Sequence, residues 1–567
     1  MPPHLFLLLS LSLSLLPSLA WAADAETFNW LPVLLVGAFI GLILWIAAKN
    51  ARHARHIDGF YTAGRRFSGF QNGLALAGDY LSAGSLLGIS AAVMMSGFDG
   101  LLYSIGWLVG WPLIAFMLAD RLRNLGKFTL ADVIDFRFSD RRVRLFCAAS
   151  TLCVIIFYLT AQTVGAGSLI SLMLGIDYLW AVLLVGALML PCVLLGGMAA
   201  TTWEQIVKTV LLIVGVTLMA FLVLKAHGFS FERLFAAAVT AKESRAILAP
   251  GSLIQSPLSA ISLGLALMCG TVGLPHILMR FFSVTDAGQA RKSVFWATGI
   301  IGWFYALTFV IGFGAIVFVS NHPGVVGPEG ANLAALHLAD ALGGNLLFSV
   351  MVVAAFATIM AVVSGLALSA AATVAHDLYA MAFKQGEADD HRVLTVVRFS
   401  ALALAVLTVL LGVLFKGQNV ALMVSLAFSI AASTNFPALI LSLLWKDCSA
   451  RGIVIGGGLG LFAALIMTLL SEPVWVGALG HPPHTAPFPF ASPVLFSMPL
   501  AFFAIVLVST LDISLKTLEI RERFDAQTVR AETGLDSEPV MAQADEEEDE
   551  EDDANAPANP LPIPQPA

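Results

Sequence analysis

Charge is scarce in this chain: 12% of its 567 residues are Asp, Glu, Lys or Arg, whereas 58% are hydrophobic and the mean hydropathy is +0.86. Soluble globular domains carry about twice that share of charge, which argues against a soluble enzyme built around one apolar core. Cysteine is sparse as well. Cys147, Cys153, Cys192, Cys269 and Cys448 show neither a Cys-x-x-Cys nor a metal-ligand spacing, so no disulfide framework or zinc centre is indicated. The chain also lacks a P-loop, a Gly-x-Ser-x-Gly elbow and a His-Glu-x-x-His pair. No catalytic residue and no cofactor is expected, and no nucleic-acid partner.

What the sequence does have is apolar length. Thirteen runs, at about 31–48, 74–96, 101–119, 145–174, 179–197, 204–224, 258–279, 294–319, 345–375, 395–415, 420–444, 452–470 and 493–511, fill the chain. Most reach the roughly 20 residues that cross a hydrocarbon layer of about 30 Å. In lipid the backbone must satisfy its own hydrogen bonds. The expected class is therefore an all-α polytopic membrane protein, with a transmembrane domain over residues 31–511.

The flanks read differently. Leu5–Leu16 followed by Ala20-Trp21-Ala22 has the form of a signal peptide over residues 1–22. A retained anchor, giving a fourteenth span, stays open because no Lys or Arg precedes the apolar stretch. With the mature N-terminus periplasmic, 24 of the 30 Lys and Arg fall on the inner side, five fall outside, and Lys208 lies within a span. That bias is the positive-inside pattern and makes the C-terminus cytoplasmic. Eleven of the 38 acids lie between Asp536 and Asp553, so the membrane body is slightly basic despite the net charge of −8. Residues 512–567 are expected to form an acidic, disordered tail.

The second run holds Gly73, Gly78, Asp79, Tyr80, Ser82 and Gly84 where a plain span would carry Leu and Ile. A carboxylate in a membrane helix is costly unless it meets a polar cavity or a partner. Glycines let such a helix open, so that its carbonyls can hold an ion. Close helix packing by small residues, with Asp79 solvated at the helix end, is the other reading of the same residues. The seventh run is interrupted at Gly270-Thr271-Val272-Gly273-Leu274-Pro275. Two interruptions five runs apart, in oppositely oriented halves, predict an inverted five-helix-repeat core made of runs 2–6 and 7–11. Arg280, His276 and His376 are expected at the cytoplasmic surface.

Gly196-Gly197-Met198-Ala199-Ala200-Thr201-Thr202-Trp203 resembles the Gly-Gly-x-x-Ala-x-x-Trp signature of the solute:sodium symporter family. Phe60-Tyr61-Thr62-Ala63-Gly64, Gly78-Asp79-Tyr80, Leu274-Pro275-His276, His376-Asp377-Leu378-Tyr379 and Ala431-Ala432-Ser433-Thr434-Asn435-Phe436-Pro437 bring the likeness closest to its bacterial cation/acetate symporters. The resemblance implies alternating-access uptake of acetate and related short monocarboxylates with a cation, Na+ or H+, across a bacterial inner membrane. It implies a cation site formed by the carbonyls of Gly78, Leu81 and Ala361 and the hydroxyl of Ser364. Oxygen ligands of this kind suit a hard cation. Gly365 stands where many members carry a second hydroxyl, which keeps a proton open as the coupling ion and makes Asp79 the coupling candidate.

A carboxylate substrate must exchange its water for donors. Tyr158 and Gln162, four apart on one helical face, Thr271 and Gly273 at the second interruption, and Asn435 are the candidates. For each of them interhelical hydrogen bonding is the alternative role. Symport of pyruvate, lactate or proline within the same family is the second functional reading, followed by a membrane sensor module or a passive channel.

Overall fold

The computed structural model describes residues 29–50, 57–254, 256–325, 330–384 and 389–535, so the expected signal segment and the acidic run lie outside the described residues. Among the described residues every regular element is helical, with two isolated bridges, Phe67 to Val284 and Ser471 to Phe488. In chain order the principal helices are α1 Trp30–Asn50, α2 Gly69–Tyr80, α3 Ile89–Ser96, α4 Leu101–Leu113, α5 Arg141–Leu174, α6 Tyr178–Ala226, α7 Pro257–Val272 and α8 Pro275–Met279. There follow α9 Ala287–Val319, α10 Ala334–Ala372, α11 Asp390–Leu414, α12 Val420–Ser433, α13 Asn435–Leu444, α14 Ala450–Leu469, α15 Val494–Leu511 and α16 Leu515–Thr533.

Eleven helical stretches among the described residues are long and apolar enough to cross a membrane. The expected count was thirteen. The second run is split into pieces, of which α2 is too short by itself and α3, though parted from α4 by a turn at Gly97 with φ 60° and ψ −123°, counts with α4 as one stretch, and the fifth run yields only the short stretch Tyr178–Leu188. The backbone reverses its helical course at Gly197, with φ 54° and ψ −170°, which divides α6 between the fifth and sixth runs. A residue with a Cβ is strained at such a φ, so the glycine fixes the bend.

Both expected interruptions are present. α2 stops at Tyr80, Leu81 is extended at φ −70° and ψ 103°, and the chain resumes as a π turn, Gly84–Gly88, leading into α3. α7 stops at Val272 and restarts at Pro275, whose missing N–H falls where a helix has no partner for it anyway. The first interrupted helix packs through α2 against α6 and α9, and the second packs through α7 against α4 and α12. Around them, α5 packs against α6, α10 and α12.

The segment after Leu511 departs from the expectation of disorder at its start. α16 starts after Ser514 and buries Thr517, Ile520, Gln527 and Ala531 against the bundle. Lys516 pairs with Asp140, Asp525 with Lys446 and Glu532 with Arg121, at 2.9, 3.0 and 3.3 Å. Exposed pairs of this kind contribute at most about 1 kcal/mol each. The buried face and the Arg137 guanidinium, 4.8 Å from the Phe524 ring, hold the helix more firmly.

A buried ionic cluster braces the same end of the bundle. Arg144, at the start of α5, meets Asp132 at 2.9 Å, Asp135 at 2.8 Å and Asp377 at 3.8 Å, while His376 lies 3.2 Å from Asp132 and Thr129 donates to Asp377. His376 is therefore not at the surface as expected: its ring packs on Phe128 and it is 8% exposed. Burial opposes the charge of Asp132, but the hydrogen bond from His376, the nearby Arg144 and the Phe128 amide outweigh it and hold this carboxyl below the usual range. Asp135 is the opposite case. Its burial outweighs the amide of Asp140 and Arg144 and pushes it up to about 6.

Arg144→Met should leave three buried carboxylates facing one another, at a cost on the order of 3–5 kcal/mol at neutral pH. Thermal unfolding of the detergent-solubilised protein checks this. Asp135 binds its proton more readily folded than unfolded, so lowering the pH from 7 toward 5 neutralises it in the folded state and should shrink the loss. A loss that is small at pH 7, or that grows on acidification, contradicts this account of the cluster.

Candidate functional site

The first interruption gathers the site. Where α2 ends, the carbonyls of Gly78 and Leu81 are not consumed by a continuing helix and point toward α6 and α10. The Lys208 ammonium, on α6 and fully buried, donates to Gly78 O, to Leu81 O at 2.6 Å and to Thr358 O on α10 at 3.4 Å. The carbonyl of Ala361 accepts from Gln205 Nε2 at 2.6 Å, and the hydroxyl of Ser364 donates to its own helix at Met360 O, 2.9 Å away. The four cation-ligand candidates thus sit on α2 and α10 on either side of α6, with Lys208 and Gln205 between them.

Asp79, next to Gly78 at the end of α2, is 1% exposed and reaches α6, α10 and the turn after α8. Its Oδ2 lies 3.0 Å from Arg280 Nε, and its Oδ1 accepts from Gln205 Nε2 at 3.0 Å. Arg280 also donates to Thr202 Oγ1 at 2.7 Å. Sequence reasoning put Arg280 and His276 at the cytoplasmic surface, whereas they are 1% and 2% exposed. The reason is local. After the break at Gly273-Leu274, α8 and the 3-10 turn Arg280–Ser283 run beside α2 and keep both side chains inside. Asp79 is thereby a counter-ion to a guanidinium, a geometry that excludes it from the helix-end solvated role.

Gly365 gains a physical meaning here. A Cβ built on it would stand 2.4 Å from Asp79 Oδ1. The space that a second hydroxyl side chain needs is filled by the Asp79 carboxylate.

The substrate candidates separate into two sets. Gln162 Oε1 accepts from the Ala83 amide at 3.2 Å, inside the first break, and its Nε2 has no partner. Tyr158 packs on His276 and Phe428, at ring distances of 5.3 and 5.9 Å. Thr271 and Asn435, by contrast, are engaged within the protein. Thr271 shares a 2.7 Å hydrogen bond with Tyr80, and Asn435 donates to Gly273 O and accepts from Ser150, at 2.8 and 2.7 Å. Gly273 is thus joined to Asn435 across α7 and α13.

Several groups around the first break escaped sequence reasoning. Ser82 Oγ, Trp107 Nε1 and Trp111 Nε1 are buried without a hydrogen-bond partner. The two indoles flank Tyr80 and Phe428: Tyr80 to Trp111 is 5.1 Å between ring centroids, and Trp107 to Phe428 is 5.6 Å. Only the run Trp107-Leu108-Val109-Gly110-Trp111 hinted at this, by placing two indoles four apart on one face. Lys208 had a plainer signal, as a base inside an apolar run that the inner-side and outer-side counts left unassigned.

Asp79→Asn strips the buried guanidinium of its carboxylate, so it should lower stability by roughly 3–5 kcal/mol and abolish gradient-driven accumulation. Adding Arg280→Gln should restore much of the stability without restoring transport. Thermal unfolding and uptake on the same three proteins check the pair, and an Asn variant as stable as the parent would show that the ion pair does not carry this interface.

A family profile described as the sodium:solute symporter family matches residues 60–460. Among solved structures, the chain is similar to a Na+-coupled sialic acid symporter in its substrate-bound outward-open state. The TM-score is 0.69 at 15% identity, over 86% of this chain and 98% of that one. It is also similar to a nucleobase-cation-symport-1 family transporter in a closed, bromovinylhydantoin-bound conformation, with TM-score 0.50, 14% identity, and 84% and 98% of the two chains covered. Two interrupted helices around a buried polar centre, an all-helical membrane bundle and a profile spanning most of the chain agree on a transporter rather than an enzyme. The chain belongs to the sodium:solute symporter family and is a secondary active symporter of a solute and a cation.

Proposed function

We propose that this symporter takes up acetate and related short monocarboxylates together with Na+ or H+ by alternating access, across a bacterial inner membrane with its C-terminus in the cytoplasm. The observation that carries the substrate class is the set of unpaired buried donors at the first break: Gln162 Nε2, Ser82 Oγ and the indole N–H groups of Trp107 and Trp111. A buried donor without an acceptor costs on the order of 1–3 kcal/mol. An ionised carboxylate offers acceptor positions to several donors at once, so a small carboxylate satisfies what the protein leaves open. The adjoining rings of Tyr158 and Phe428 form an apolar wall suited to a methyl or short alkyl group.

The two cations nearest this chamber do not compete with that reading. Arg280 is engaged by Asp79 and Lys208 by carbonyls, which leaves neutral donors to receive the substrate. The carbonyls of Gly78, Leu81 and Ala361 with the Ser364 hydroxyl form the proposed cation cage, Asp79 is the proposed coupling residue, and Tyr158, Gln162, Thr271, Gly273 and Asn435 line or brace the substrate path. A solved neighbour of the same fold carries sialic acid in its name. The fold therefore leaves the solute open, and side chains in the chamber select it.

Labelled acetate uptake into proteoliposomes, with sodium, proton and electrical gradients imposed one at a time, tests the proposal. Net inward movement of one charge gains about 2.3 kcal/mol per 100 mV, so accumulation above equilibrium is expected when the right gradient is present. Mere equilibration under every gradient rules symport of acetate out. Ser364→Ala should raise the half-activating cation concentration by about tenfold or more while changing acetate half-saturation at saturating cation far less. An unchanged cation dependence removes Ser364 from the cage.

A further inference from the structure

The Lys208 ammonium has an unusual environment for a buried charge. Among the described residues no carboxylate lies within ion-pair distance of its Nζ; its contacts are the carbonyls of Gly78, Leu81 and Thr358. An ammonium has three donors and no acceptor, and here each donor has its own carbonyl. Two of these carbonyls belong to the broken turn of α2, where no continuing helix consumes them. A ring of carbonyls around a compact charge is the environment that a hard monovalent cation requires. Of the other charged groups of this region, Asp79 pairs with Arg280, and Glu204, one turn before Lys208 on α6, is buried at 3% exposure with its Oε1 unpartnered and outside ion-pair distance of Nζ. The facing wall of α10 is closed too, with Ala361 O bound by Gln205 and the space over Gly365 filled by Asp79.

We propose that Lys208 is a tethered cation that occupies the coupling-ion cage, so that an external cation binds there only when the lysine side chain withdraws. This rests on reading the 78–81 and 358–364 segments as that cage. Lysine suits the task because its charge is a compact point on a flexible four-carbon stem, able to leave a site by rotation without unfolding its helix. The tethered charge lowers the affinity for the free ion and keeps the broken turn of α2 from standing open between transport cycles. Lys208 is in this sense a specificity-determining residue for the driving ion.

The test uses the purified full-length protein in detergent, titrated with sodium chloride against choline chloride at constant ionic strength, with thermal unfolding as the readout. Removing the tether should let Na+ in. Lys208→Ala should reach half of its Na+-induced stabilisation at a concentration about tenfold or more below that of the parent. Lys208→Arg, which keeps a charge at the cage, should remain near the parent. Lys208→Gln serves as a second neutral variant, with the same gain expected.

A measurement on the unaltered protein runs beside these. If Na+ displaces the side chain, acylation of Lys208 by an amine reagent, followed by mass spectrometry, should rise with Na+ and not with choline. Labelling that ignores Na+, or neutral variants with the parent's Na+ response, overturns the proposal. Ser364→Ala in the same assay separates the two readings. A weakened Na+ response there, with Lys208→Ala unchanged, leaves the cage standing and reduces Lys208 to a structural tie; no change in either variant removes the cage itself.

Discussion

The contact between Asp79 and Arg280 is the constraint on which the centre of this protein depends. Two helices that carry the chain through the middle of the bundle are both broken, and a break leaves backbone groups without helical partners. The carboxylate on the first broken helix and the guanidinium just beyond the second join them at 3.0 Å, fully buried. Removing two charges from water is costly, and their mutual attraction offsets this only when the remaining hydrogen-bonding positions are also filled. Thr202 takes one guanidinium N–H and Gln205 occupies the second carboxylate oxygen, both from α6. α6 thus supplies the complement for both broken helices, and Lys208 extends the arrangement one turn further along the same helix.

Under the proposed uptake of a short carboxylate, that economy bears on solute recognition. With both central cations engaged by the protein, the free donors at the first break are an amide, a hydroxyl and two indoles. Neutral donors hold a carboxylate less strongly than a guanidinium does. A transporter must release what it binds, so a site of moderate strength serves better than a tight clamp. The opposite design governs the end of the bundle around Arg144, where three carboxylates share one guanidinium and α16 adds ion pairs at the surface. Strong ionic contacts brace the periphery, and neutral polar groups stand open at the first break.

Much of the fold was legible because lipid imposes simple rules. Apolar length located the helices, glycines with Asp79 located the first break, and glycines with Pro275 located the second, since such residues are expensive in a continuous membrane helix. The merging of the fifth and sixth runs across Gly197, and the packed start of the C-terminal segment, were not legible. A bend at one glycine leaves hydropathy unchanged, and α16 is polar enough to read as tail until its buried stripe is seen against the bundle. In the site, Asp79 stood out by its cost. Its partner did not, because Arg280 reads as a basic residue just past a span, and only the inward course of the chain after Pro275 brings it to Asp79. Lys208 was visible as an anomaly, yet nothing in the spacing said that its amine reaches the carbonyls of residues 78 and 81.

The fit of Asp79 against Gly365 has an evolutionary corollary. A descendant acquiring a side chain at position 365 would drive a Cβ into the Asp79 carboxylate. One losing Asp79 first would strand Arg280 in the interior, and one losing Arg280 first would strand Asp79. Each single step passes through a damaged protein, because residues in direct contact do not contribute additively. The three positions are therefore locked as a set, and a lineage built on this arrangement keeps it until a rare concerted change releases all three together.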